Sequence, residues 1–300
     1  MNCAIIGSTK IAEVHAENLI RKGVTEVTFI SRSIYKRKKI ISHVKKKVSK
    51  KVSFFHKSPE ILKDLSFNII CICSKTEVHD YHLKLLEKTK SIIIVEKPIV
   101  SLLKLNKSYE NFLKRIYSNN KKIIVCYPYL YLSKSFNSFF PFKKKTKEIK
   151  FEFQTGGKSQ YDDICVNLMP HALSFFHVFY KKNFIKKITK KEKIVKKNIW
   201  KATFNVDDIK FDLILKENPM KKTSLKISQD QYEIIRNTKI KKKKFINYIY
   251  NPNTKTKKII KNPMVSFYND VFKNLNNLSY YKKNKVLTFD IMKKNFFLLN

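Results

Sequence analysis

The stretch SIIIVEKP, Ser91 to Pro98, decides the fold. Four β-branched residues in succession, Ile92 to Val95, favour a strand. An unbroken apolar run this short is what a strand buried on both faces of a parallel sheet requires. A charged pair and a proline then end it. Similar runs occupy residues 3–6, 27–30, 52–55, 68–73 and 123–126. Between them, residues 11–20, 78–86 and 103–116 carry apolar side chains at helical spacing, as does the lysine-dense stretch 34–50. Short buried strands alternating with helices are the rhythm of right-handed βαβ crossovers.

After Pro128 the rhythm changes. Residues 148–154, 184–189, 200–205, 209–215 and 225–227 alternate like strands with one buried side, and a single helix, 166–180, interrupts them. Residues 263–278 and 290–299 read as closing helices, and the lysine-rich stretch 240–258 with Asn251-Pro252-Asn253 reads as an exposed hairpin or loop. The predicted fold class is α/β. A Rossmann domain with a parallel sheet, residues 1–128, precedes an α+β domain, residues 129–300, with a mostly antiparallel open sheet and the closing helices. An open sheet with one uncovered face is expected to pair with a second copy of the chain.

A chain of 300 residues suits two domains, and 43% hydrophobic with 13% aromatic residues supplies ample core for a globular protein. The formal charge of +41 would by itself suggest a polyanionic partner. Its source argues otherwise: only Arg21, Arg32, Arg37, Arg115 and Arg236 are arginines, whereas base readout and bidentate phosphate recognition favour arginine. The lysines spread along the whole chain among abundant Asn and Ile, a mixture that AT-rich codon usage produces, so no specific nucleic-acid function is expected. The start of the chain lacks the features of a signal peptide, and no apolar stretch approaches the ~20 residues that span a bilayer. A cytoplasmic protein without membrane association is expected. Cys3, Cys71, Cys73, Cys126 and Cys165 show neither a C-x-x-C pair nor zinc spacing and read as reduced core residues.

The first strand runs into Gly7-Ser8-Thr9-Lys10-Ile11-Ala12 and then a helix, the place of the dinucleotide fingerprint, where a tight turn aims a helix N-terminus at a pyrophosphate. Gly7 and Ala12 keep the pattern, while Thr9 stands where a second glycine is usual. The second strand ends in Ser31-Arg32-Ser33, with no carboxylate for the ribose hydroxyls of NAD. Hydroxyls beside an arginine suit a 2′-phosphate, with Lys36 and Arg37 as helpers, so NADP(H) is the preferred cofactor and NAD(H) the alternative.

Four motifs in order carry a resemblance: GSTKIAEVHAENL from Gly7, SKTEVH from Ser74, Glu96-Lys97-Pro98, and NLMPHALS from Asn167. Together they resemble the glucose-fructose oxidoreductase and inositol dehydrogenase family of NAD(P)-dependent oxidoreductases. The resemblance implies hydride transfer to or from a sugar-like or related small carbonyl, alcohol or imine, with Lys97 as acid/base and His171 facing the substrate as proton relay or hydroxyl ligand. It implies substrate contacts from Asn167 and Tyr127, and cofactor contacts from Ser74, Lys75, His79, Glu96 and Lys97. Asn167 stands where the family commonly has aspartate, and an amide can hold a hydroxyl but cannot take its proton. Lys75 likewise replaces a proline.

Thr9, Lys75 and Asn167 also motivate a second reading, a cofactor-binding pseudoenzyme or regulator without turnover; a basic nucleic-acid-binding protein is the third. His79 and His82 lack the further ligands of a zinc site, so no metal is expected. The pairs Asp162-Asp163 and Asp207-Asp208 do not suggest glycosidase chemistry; the first is read as capping the helix that carries His171.

Overall fold

The structure, a computed structural model, describes all residues except 64–65, 102–105, 142–144, 181–183 and 242–243. The chain divides into two compact units, one of residues Met1–Cys126 with Phe267–Phe289, the other of Tyr127–Ser266 with Asp290–Asn300.

In the first unit the apolar runs become six strands: β1 (Asn2–Ile6), β2 (Glu26–Ile30), β3 (Ser53–Lys57), β4 (Ile69–Ile72), β5 (Ile92–Glu96) and β6 (Ile123–Cys126). They form one parallel sheet in the order β3-β2-β1-β4-β5-β6, the doubly wound arrangement of dinucleotide-binding domains. All residues of β4 and β6 are buried, as strands with both faces covered must be. β3 departs from that expectation: it starts one residue later and is almost wholly exposed, because it lies at the sheet edge. The helices are α1 (Lys10–Arg21), α2 (Ile34–Lys45), α3 (His79–Leu85) and α4 (Lys107–Asn119). α4 starts where Asn106 accepts the Tyr109 N–H at 3.0 Å, an N-cap later than the helix start read from spacing; residues 103–105 of that reading lie outside the described residues.

The second unit holds α5 (Tyr129–Asn137), β7 (Glu148–Thr155), α6 (Asp162–Phe179), α7 (Phe184–Lys187), β8 (Ile188–Lys196), β9 (Ile199–Val206), β10 (Ile209–Glu217), β11 (Ser224–Gln229), β12 (Tyr232–Lys241), β13 (Lys244–Asn251) and β14 (Thr256–Ile260). The eight strands run in the order β14-β13-β12-β11-β7-β10-β9-β8, antiparallel except where β7 meets β10. Strict alternation buries Ile209, Phe211, Leu213, Leu215 and Glu217 of β10 on the inner face. The outer face carries charge ladders instead, with Lys210 between Glu148 at 2.8 Å and Asp212 at 3.2 Å, and Lys216 on Glu152 at 2.5 Å.

Several elements differ from the sequence reading. α5 is an additional helix. Residues 184–187 are helical, not strand, with the Phe184 ring stacked on Phe176 at 5.0 Å. The lysine-rich stretch does pair as hairpins, β12 with β13 and β13 with β14, but it is not simply exposed: the strands extend the sheet, and alternation buries Asn247, Ile249 and Asn251; residues 242–243 lie outside the described residues. Asp162 and Asp163 lie in the first turn of α6, and the N-cap position is Tyr161 at φ 52°; Asp162 accepts the Trp200 indole N–H at 3.1 Å. Asp207 and Asp208 make the two-residue turn between β9 and β10, where Asp207 takes φ 52°, a conformation Asp tolerates.

The closing helices are α8 (Pro263–Lys273) and α9 (Leu278–Leu299), the second longer than spacing suggested. Both were assigned by sequence to the second domain, yet Phe267–Phe289 belongs to the first unit. Polar contacts explain this. Asn284 accepts the Val125 N–H at 2.9 Å on the open edge of β6, and Tyr268 is fully buried against His15.

The core of the second unit is aromatic. Phe176 on α6 lies 5.0–5.6 Å, ring to ring, from Phe151, Phe175, Phe184 and Phe211. Phe176→Ala is expected to cost about 3–5 kcal/mol, measured as a drop in the denaturant midpoint; a change under about 1 kcal/mol would mean the cluster is not the core of this unit.

Candidate functional site

At the C-terminal edge of the parallel sheet, the loops after β1 and β4 meet where the strand order reverses. Gly7 takes φ +125°, and a Cβ there would sit 2.6 Å from the Cys73 carbonyl oxygen, so only glycine fits both backbone and contact. Its N–H is tied to the Ile30 carbonyl at 2.8 Å. Thr9 is the N-cap of α1 with no side-chain cap bond, and Lys10 and Ile11 follow in the first turn. A cavity of about 350 Å³ opens here, lined by Gly7, Ser8, Ser31, Arg32, Ser33 and Lys36 on one side and by Glu60, Ser74, Tyr81 and His82 on others.

The β2 end is pre-arranged. Ser33 Oγ accepts the Lys36 N–H at 3.3 Å, capping α2, and Ser31 Oγ donates to the Ser33 carbonyl at 3.3 Å. Arg32 is exposed at the cavity. Arg37 is not the phosphate helper expected from sequence: it is buried, and its Nη1 donates to the Ser31 carbonyl at 2.7 Å, so it pins the loop.

The histidines also have local tasks. His79 was assigned to the cofactor, but its buried ring lies between the carbonyls of Ser74 and Pro98, 3.0 Å from each, and brackets the loops after β4 and β5. Burial holds it below the ordinary imidazole pKa. His82 Nδ1 meets Ser74 Oγ at 3.0 Å, and burial, helped by His79, pushes its pKa down to about 4. Lys75 is exposed at φ −66°, the angle a proline would fix in its place.

Glu96, likewise assigned to the cofactor, is committed elsewhere. His15 Nε2 donates to its Oε1 at 2.7 Å, and His15 Nδ1 lies 2.5 Å from the Tyr268 hydroxyl. Burial alone would raise the Glu96 pKa, but the hydrogen bond and charge of His15, then Lys97, hold it below the ordinary carboxylate value. Among the described residues, His15, Glu96 and Cys126 are the one group of three with ligand atoms within 4.8 Å of one another. Imidazole and carboxylate there are bonded to each other, and burial pushes the Cys126 thiol well up. Lys97 follows directly, half-buried at the C-terminal end of β5 and joined to Pro98 by a cis peptide bond.

In the second unit, Asn167 and His171 lie one turn apart on α6, both half-buried, with Pro170 removing one helix hydrogen bond between them. The His171 ring rests on Tyr129 at 4.4 Å and on Phe153 at 5.5 Å. Tyr127, expected to touch substrate, is 2% exposed. Sequence reasoning missed Glu217. Its carboxylate is buried at an inner-face position, accepting the Ser159 N–H at 2.6 Å and the Asn167 amide at 3.4 Å; Asn167 also donates to Ser159 Oγ at 2.9 Å. Gly157 leaves room for it, since a Cβ there would collide with the carboxylate at 2.1 Å. The signal was present: Glu217 ends the alternating series Ile209, Phe211, Leu213, Leu215. Both amide protons are engaged, and the group of Asn167 able to accept a hydrogen bond from a hydroxyl is Oδ1.

His15→Phe leaves the Glu96 carboxylate buried without its imidazole, an expected cost of about 3–5 kcal/mol near neutral pH. The folded Glu96 pKa lies below its unfolded value of about 4.3. Its contribution is therefore present above that value and lost as pH falls through the folded pKa. The gap in unfolding free energy between wild type and variant should narrow in acid; a gap constant with pH would overturn this assignment.

Residues 1–125 match the family model described as "Oxidoreductase family, NAD-binding Rossmann fold". No curated protein matches the chain in sequence. Among solved structures, the chain is similar in fold to the WlbA (WbpB) dehydrogenase from Thermus thermophilus, solved with NAD and UDP-GlcNAcA (14% identity, 100% of this chain and 95% of that one, TM-score 0.68). It is similar also to a Gfo/Idh/MocA family oxidoreductase from Vibrio cholerae (11%, 98% and 94%, 0.68). A third is KijD10, a 3-ketoreductase from Actinomadura kijaniata, solved with NADP (10%, 98% and 94%, 0.67). The matched segment, residues 1–125, is thus an NAD-binding Rossmann domain of the Gfo/Idh/MocA oxidoreductase family, and the whole chain shares the fold of these solved oxidoreductases.

Proposed function

We propose that the protein is an NADP(H)-preferring reductase or dehydrogenase of a sugar-like or related small carbonyl or alcohol, with Lys97 as acid/base and His171 and Asn167 holding the substrate oxygen. The observation that carries the cofactor preference is the end of β2: Arg32 exposed at the cavity, flanked by Ser31 and Ser33, with Lys36 beside them. A guanidinium with neighbouring hydroxyls matches a 2′-phosphate. Glu60 is the one carboxylate lining the same cavity and the feature that would favour NAD(H).

The first unit fits a dinucleotide. Gly7 makes the tight turn from β1 into α1 against the Cys73 carbonyl, where a Cβ would collide, and the N–H groups opening α1 are the natural partners of a pyrophosphate. When bound, the nicotinamide supplies or accepts the hydride. Lys97 would donate a proton to the forming alkoxide in reduction, or remove the hydroxyl proton in oxidation. Asn167 Oδ1 would accept a hydrogen bond from a substrate hydroxyl, and the imidazole of His171 can pass a proton near neutral pH. UDP-GlcNAcA bound with NAD in one similar structure and NADP bound in another support a sugar-like substrate and a nicotinamide cofactor.

Lys97→Met should keep NADPH binding and lower turnover by about 10²–10⁴-fold across a panel of sugar aldehydes and ketones. Arg32→Ala should weaken NADPH binding by about tenfold or more while NADH changes little. Wild-type protein that binds no NADPH would end this reading. Binding without turnover of any panel member would favour the cofactor-binding regulator.

A further inference from the structure

Along β12, alternation places Ile234 and Arg236 on the inner face of the second sheet. Arg236 stands in register between Leu225 of β11 and Ile249 of β13, both fully buried, and Leu225 continues the row to Phe153 of β7. A guanidinium therefore occupies a position the pattern reserves for an apolar side chain.

Its surroundings do not neutralise it. Nη2 donates to Asn247 Oδ1 at 2.8 Å, and Nη1 lies 3.4 Å from the Tyr129 hydroxyl. Both acceptors are neutral, and Asn247 Oδ1 is shared with the Thr238 hydroxyl at 3.1 Å. The Nε–H is buried with no hydrogen-bond partner, and none of the ion pairs among the described residues includes Arg236. A half-buried cation with unused donors and only neutral acceptors costs stability unless an anion completes it. Lysine excess does not explain it, because arginine is scarce in this chain and its planar fork is the group that matches a carboxylate or phosphate. Tyr129, which touches Arg236 through its hydroxyl, is the ring on which His171 rests.

We propose that Arg236, held by Asn247 and Tyr129, is a subsite for an oxyanion of the substrate, so that the substrate is an acidic compound carrying a carboxylate or phosphate within reach of His171. This substrate class rests on the reading above that the second unit binds substrate. The oxyanion site itself can be tested without it.

The five arginines make a site-specific measurement practical. In full-length protein with ¹⁵N-labelled arginine, the Arg236 Nε–H signal is identified by its loss in Arg236→Met. Inorganic phosphate and malonate are then titrated separately at constant ionic strength. The expected result is a saturable shift of that signal, separate from any response of Arg32 to phosphate, with a Kd on the order of millimolar for at least one anion. Arg236→Lys should bind the same anion about tenfold more weakly, read as the loss of protection against thermal unfolding. The stronger of the two anions distinguishes a phosphate from a carboxylate group. An Arg236 signal that does not move with either anion, or drifts without saturation like Arg21 and Arg115, overturns the proposal. NADPH titration of the same samples is independent. Its failure in wild type would remove the oxidoreductase reading, while normal NADPH binding in Arg236→Met with anion binding lost would assign the effect to this site.

Discussion

The buried chain Tyr268–His15–Glu96 is the interaction on which the first unit depends. It joins α8, α1 and the end of β5 through two short polar contacts inside an otherwise apolar core. A carboxylate so placed would be costly alone, and the imidazole makes it tolerable by holding it ionised. The consequence for chemistry is positional. Glu96 cannot turn without breaking that bond, so Lys97 leaves the sheet from a fixed strand end, while His79 brackets the next carbonyl at Pro98 from the loop after β4. Each residue expected at the cofactor that proved to be committed elsewhere, Glu96, His79 and Arg37, serves the same purpose: it rigidifies a loop at the strand ends.

The second unit handles charge differently. Its outer sheet face carries exposed ladders such as Lys210 with Glu148, the kind of pair that contributes little net stability. Its inner face holds two charged groups of opposite sign, the buried Glu217 near Asn167 and the half-buried Arg236 near Tyr129, at positions where alternation calls for apolar residues. Departures from a local rule in an otherwise consistent sheet are where function is expected to show itself. The +41 charge of the chain, by contrast, is spread over solvated lysines and shapes general attraction to anions more than any particular site.

The sequence by itself determined the alternation of strands and helices: short apolar runs such as Ile92 to Val95 demand burial on both faces, and a Gly7 turn between strand and helix implies a phosphate-binding edge. It also placed Lys97, Asn167 and His171 within their elements, because those positions follow from local pattern and motif. What it did not determine were partnerships across long separations. His15 with Tyr268 spans 253 residues, and Asn167 with Glu217 spans 50. Nor could it assign Phe267–Phe289 to the first unit, since apolar spacing states that a helix has a buried face and says nothing of what covers it. Only tertiary structure decides which polar groups meet, because a buried hydrogen bond depends on distance in space, whereas periodicity records only which side of an element is wet.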